Sequence, residues 1–215
     1  MRAVLFDIYQ TVLKATPVPR ADRRDAMARV AREFDLPTHL PLDEAFDDAI
    51  RMAHHESPFP HPEVDVREIW RSIFPELSDP AGFAAAIEDA VNPTQAVQGA
   101  PDLIISLHQQ GLELGIVSNA QAYTLPLLER HLGEAASCFT PELSVLSYQY
   151  LRAKPDPELF RIAIEPLLHR GIPASEILMI GDSPTNDIEP AKGLGLQTHL
   201  IPPAELSLPA DLLRL

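Results

Sequence analysis

Ala3-Val4-Leu5-Phe6-Asp7-Ile8-Tyr9-Gln10-Thr11 begins with a short apolar run that ends on a carboxylate. Ala3 to Phe6 is too short for a helix and suits a parallel strand buried on both faces. Similar runs recur at Leu112 to Val117 before Ser118, at Leu143 to Leu146 ahead of the loop carrying Lys154, at Ile177 to Ile180 before Gly181, and at Leu196 to Ile201. Helical patterns lie between them. The clearest is Pro157 to Arg170, where Leu159, Phe160, Ala163, Ile164, Leu167 and Leu168 keep one face apolar. Asp156 is placed to cap it, Pro157 occupies its first turn, Gly171 closes it, and Pro166 is expected to kink it. Strands alternating with helices predict an α/β fold, a doubly wound Rossmann-like parallel sheet, with its chemistry beyond the carboxyl ends of the strands.

The stretch from about Leu13 to Asn92 breaks the alternation, shows no convincing strand, and reads as four helices. Ala21 to Phe34 and Leu42 to Ala53 form the first pair, Val64 to Phe74 and Phe83 to Val91 the second, each with a one-sided apolar pattern. The expected organisation is an α/β core of residues 1–13 and 93–215 with an inserted helical cap of residues 14–92. Pro17 with Pro19, and Asn92 with Pro93, supply stiff turns at the two junctions.

Composition narrows the function. A chain of 215 residues with 46% hydrophobic content can bury an ordinary core plus a smaller unit. No stretch approaches the roughly 18 apolar residues of a membrane span, and the first residues do not read as a signal peptide. One cysteine, Cys138, precludes an internal disulfide, so a cytoplasmic location and a packed thiol are expected. The formal charge of −14 and the lack of a basic cluster argue against a nucleic-acid partner. An acidic protein can still hold a small anionic substrate where a metal ion and a lysine reverse the local field.

Four short signals follow one another: Phe6-Asp7-Ile8-Tyr9-Gln10-Thr11, Val117-Ser118-Asn119, Lys154-Pro155-Asp156-Pro157, and Gly181-Asp182-Ser183-Pro184-Thr185-Asn186-Asp187. Singly, each is compatible with a turn or a helix cap. Their order and their placement at strand ends resemble the haloacid dehalogenase superfamily over essentially the whole chain. The resemblance implies an Asp7 nucleophile that forms a covalent ester later hydrolysed by water. It implies Mg2+ held by Asp7, Asp182, the backbone carbonyl of Tyr9, and Asp187 directly or through water. Lys154 would neutralise the nucleophile and the transferring group, while Ser118, with Asn119 beside it, would bind phosphate oxygens.

Two positions depart from that family's pattern. Most of its phosphatases carry Asp two residues after the nucleophile as general acid and base, and here the residue is Tyr9. A phenol with a reference pKa of about 10 donates a proton but is a poor base near neutrality. Gln10 stands where Gly is usual, which puts the sharp turn after the nucleophile in question. A magnesium-dependent phosphatase on a small phosphate ester is the leading expectation. Tyr9 also resembles the 2-haloacid dehalogenases, an alternative that would require an early cap arginine among Arg20, Arg23, Arg24, Arg29 and Arg32. A third alternative is a metal-pocket protein that binds or regulates without efficient turnover. His54, His55 and His61 are expected in solvated loops, and Trp70 in the packing of the cap.

Overall fold

The computed structural model describes residues 1–206; the expected core range runs to 215, and residues 207–215 lie outside the described part. In chain order the first elements are β1 (Ala3–Phe6), β2 (Leu13–Ala15), α1 (Arg20–Glu33), α2 (Leu42–Glu56), α3 (Val66–Ile73), α4 (Pro80–Val91) and β3 (Thr94–Ala96). After them come α5 (Ala100–Gln109), β4 (Glu113–Ser118), α6 (Thr124–Leu132), β5 (Ser144–Leu146), α7 (Pro157–His169), β6 (Ile177–Gly181), α8 (Glu189–Gly193) and β7 (Gln197–Leu200). Five strands form one parallel sheet in the order β5-β4-β1-β6-β7. The order reverses around β1, and this is where a doubly wound sheet opens a crevice at the carboxyl ends of its strands.

Alternation within β1 feeds two layers. Val4 and Phe6 pack with Ile104 and Leu107 of α5 and Leu127 and Leu128 of α6, whereas Ala3 and Leu5 pack with Leu159, Phe160 and Ala163 of α7. Because both faces are covered, the strand is apolar at every position, and its first polar residue falls where the sheet ends. Asp156 caps α7 by accepting from the backbone N–H of Glu158, and Pro166 is carried inside the helix without ending it.

The helices α1 to α4 pack around a cluster of their own, with Met27, Leu42, Trp70 and Phe83 deeply buried. Asp65 and Asp79 cap α3 and α4 through the backbone N–H groups of Arg67 and Gly82. The junctions differ from the expected turns. β2 and β3 pair antiparallel, and bonds from Thr16 N to Pro93 O and from Val18 N to Val91 O, both 2.9 Å, extend the ribbon towards the helices. Three-residue strands whose partners lie about 80 residues away leave no local periodicity to read. A second tie joins insertion and core: Glu63 N donates to Leu151 O at 3.1 Å and Ala153 N to His61 O at 2.8 Å. The histidines also divide, since His54 and His55 complete the last turn of α2 and only His61 sits in a loop.

Candidate active site

Asp7 follows β1, Ser118 ends β4, and Asp182 follows β6, so adjacent strands bring the three together at one edge. Lys154 arrives on the loop after β5. Its ammonium donates to Asp7 Oδ1 at 2.6 Å, to Asp187 Oδ1 at 2.5 Å and to the Val117 carbonyl at 3.0 Å. Ser118 Oγ donates to the same Asp7 Oδ1 at 3.0 Å. With both bonds converging on Oδ1, the other carboxylate oxygen of Asp7 is left for attack or for a cation.

Asp7, Ser118, Lys154 and Asp187 are all buried. Burial alone would lower the Lys154 pKa, but the charges of Asp7 and Asp187 more than offset this and hold the ammonium protonated. Asp187 lies above the usual carboxylate range: its burial outweighs the attraction of Lys154, and the charge of Asp7 adds to the shift. Its second oxygen accepts from Ser183 N at 2.9 Å, closing the turn that leads into Pro184–Ile188. Gly181 explains the Gly-Asp pair, because a Cβ there would lie 2.3 Å from Asp187 Oδ2.

Asp182 is the odd member. Carboxylate oxygens of Asp7, Asp182 and Asp187 all lie within 4.8 Å of one another. Among the described residues no side-chain donor bonds Asp182, and burial with the charges of Asp7 and Asp187 raises its pKa. Three carboxylates face one ammonium. That excess of hard, closely spaced oxygen ligands fits a divalent cation such as magnesium.

Residues 1–195 match the profile of haloacid dehalogenase-like hydrolases. The chain belongs to that family. It is 25% identical to the glyceraldehyde 3-phosphate phosphatase of Pyrococcus abyssi over 202 residues, 92% of this chain and 80% of the relative. A HAD phosphatase from Thermococcus onnurineus superposes with a TM-score of 0.62 at 22% identity, covering 94% of this chain and 86% of that one. A magnesium complex of a HAD family enzyme from Bacteroides thetaiotaomicron gives 0.63 at 19% identity, with 95% of each chain covered.

Tyr9 and Gln10, the two positions expected to depart from the family's pattern, lie beside the nucleophile. Tyr9 turns its hydroxyl to Thr124 Oγ1 at 3.0 Å, and burial pushes its pKa well above that of a free phenol. Gln10 takes the left-handed conformation, φ 63°, that Gly would adopt freely, and its Nε2 donates to Ala15 O at 2.9 Å. The turn after Asp7 is therefore formed despite the missing Gly. Asn119 spends its amide on the backbone of Lys154, accepting from its N at 2.6 Å and donating to its O at 3.2 Å.

Four residues that the sequence did not single out line the entrance. Glu63, Glu88, Gln121 and Tyr123 share a vestibule of about 280 Å³ with Tyr9 and Asn119. Glu88 is raised above the carboxylate range by burial, although it accepts from Asn92 Nδ2 and the Tyr123 hydroxyl. A usable signal did exist, since Glu88 shares a helix face with Ala84 and Val91, four residues before it and three after.

Proposed function

We propose that this HAD-like hydrolase is a magnesium-dependent phosphatase acting on a small, anionic phosphate ester through Asp7. The observation that carries the reading is the excess of carboxylate over ammonium: Lys154 is fully engaged by Asp7 and Asp187, leaving Asp182 to find a cation. Magnesium, present in complexes of structurally similar HAD enzymes, would be held by Asp7, Asp182 and the Tyr9 carbonyl, with Asp187 close by. When bound it would offset the repulsion between a carboxylate and a phosphate.

The chain's own residues then account for the steps. One carboxylate oxygen of Asp7 attacks phosphorus while the other stays available to the cation, and the bond to the leaving alcohol oxygen breaks, giving an aspartyl phosphate. Lys154 steadies the accumulating negative charge, and Asn119 keeps Lys154 in place. Water then attacks the phosphorus of the aspartyl phosphate, releasing inorganic phosphate and restoring Asp7. Tyr9, tied to Thr124 and held protonated, contributes no base to that second step. The dehalogenase alternative is less well supported. Of the early arginines, Arg23 reaches the cavity beside the vestibule but is bound to Asp47 at 3.0 Å, and the vestibule presents Glu63 and Glu88, which disfavour a haloacid carboxylate.

The test is phosphate release from p-nitrophenyl phosphate with magnesium and with EDTA, using Asp7→Asn as a control. Release that needs both magnesium and Asp7 supports the proposal. Chloride release from 2-chloropropionate in EDTA, with no phosphate release, overturns it in favour of the dehalogenase; no turnover on either substrate overturns it in favour of the binding protein.

A further inference from the structure

A cavity of about 340 Å³ opens between the helical insertion and the loop after β4, lined on the insertion side by Arg23 and Met27 of α1, Phe46 and Ile50 of α2, and Ile87 of α4. Its mouth is formed by Glu63, Glu88, Gln121 and Tyr123, which also line the vestibule beside Tyr9 and Asn119. The cavity therefore adjoins the vestibule at Tyr9, two residues beyond Asp7.

Two features of its wall select a ligand. Phe46 lines the cavity and stacks on the deeply buried Trp70, with ring centroids 4.5 Å apart and an interplanar angle of 20°, so one side of the wall is aromatic. His54 also lines it and holds a buried Nε2 with no hydrogen-bond partner among the described residues. Buried polar atoms are nearly always satisfied in folded proteins, and an orphan facing a cavity calls for a partner from outside the chain. At about 30 Å³ per water-sized unit, the space takes roughly ten non-hydrogen atoms. Arg23, the one cation among the described lining residues, is paired with Asp47, so Glu63 and Glu88 at the mouth disfavour an anionic body.

We infer that this cavity is the leaving-group subsite, built for an uncharged aromatic or branched apolar alcohol with a polar group at its far end to meet His54. The inference rests on the phosphatase reading for the word leaving-group, but not for the binding. A short polyol such as glycerol would leave both the aromatic wall and His54 unmet.

Trp70 is the single tryptophan of the chain, so its emission reports occupancy without turnover. The protein is titrated with 3-(4-hydroxyphenyl)propan-1-ol, 3-phenylpropan-1-ol and glycerol, each in EDTA. The expected result is a saturable change with both aromatic alcohols and none with glycerol. Ala84→Leu, which fills the cavity, should abolish the response, with Val91→Phe at the mouth as a second variant if the first fails to fold. His54→Phe should weaken the hydroxylated ligand by about fivefold, the worth of one hydrogen bond, and leave the other unchanged. A missing response in the parent protein, or one that survives the filling variant, overturns the subsite. In parallel, phosphate release from 3-phenylpropyl phosphate and glycerol 1-phosphate is measured with magnesium. Preference for the aromatic ester supports the subsite and equal rates overturn it. Saturable, Ala84-dependent binding with no release from either ester would sink the phosphatase reading while upholding the site.

Discussion

Replacing Asp182 with Asn should make the metal-free protein more stable while removing its response to magnesium. At an effective dielectric of about 20, two unit charges 4.8 Å apart repel by roughly 3.5 kcal/mol. Asp182 faces two such neighbours, and the ammonium of Lys154 offsets about one of them. Asp182 is also partly solvent-exposed, which screens what remains, so about 1–2 kcal/mol is the expected relief. For a domain of this size that is roughly 2–8 °C in Tm. The pH dependence has a definite sign. A carboxyl whose pKa is raised by folding weakens the fold above that pKa, and the penalty fades as pH falls towards the ordinary range near 4. Asp182→Asn should therefore gain most at pH 7 and little at pH 4.5. Magnesium at about one hundred times its Kd should add about 2.7 kcal/mol to the parent protein alone, reversing the order. Thermal melts in EDTA and in magnesium at both pH values test this. An Asn variant that melts below the parent in EDTA, or that gains equally from magnesium, would refute the reasoning.

Three further substitutions probe the same site. Lys154→Met leaves Asp7 and Asp187 buried without their counter-ion and should cost about 3–5 kcal/mol in urea denaturation at neutral pH, with loss of turnover. Tyr9→Phe removes only the bond to Thr124, so it should lower stability by about 1 kcal/mol and leave aryl phosphate turnover nearly unchanged. Tyr9→Asp, by contrast, should raise steady-state turnover about a hundredfold, the low end of the roughly 10²–10⁴ that general acid and base catalysis supplies, and should shorten the lifetime of a phosphoenzyme seen by quench-flow. Gln10→Gly relieves about 1 kcal/mol of left-handed strain. It also frees the unfolded chain and loses the bond to Ala15, so its melting curve should nearly overlay the parent's.

The parts of this structure that could be read from the sequence are those in which a local pattern and a buried environment coincide. Each central strand is covered on both faces, so β1, β4 and β6 are uninterrupted apolar runs, and the residue that ends each run marks the site. Asp7 and Asp182 were legible for that reason, and the pairing of β1 with β6 places them side by side. The β2 and β3 ribbon was not legible, since Leu13, Lys14 and Ala15 alternate too briefly to register and their partners are remote. The roles of Tyr9 and Asn119 were only half legible. Residue type identified them, but their orientation is decided by Thr124 and by the backbone of Lys154, which only the folded chain brings near.

The loop after β4 does two jobs with neighbouring residues. Asn119 fixes the backbone of Lys154, and Gln121 reaches the insertion, accepting from Val66 N at 3.1 Å and donating to Val64 O at 2.8 Å and Glu63 Oε1 at 3.3 Å. Between them Ala120 N donates to Ser147 Oγ, which in turn donates to Glu63. Segment 61–66 cannot leave the core without breaking these bonds, and the same short loop sets where the ammonium meets Asp7. A flexing β2 and β3 ribbon is therefore not sufficient to open the entrance; the bonds of Gln121 and Glu63 must break as well. Seating of the insertion and placement of Lys154 are thus coupled through three consecutive residues, Asn119 to Gln121, with no long-range relay required.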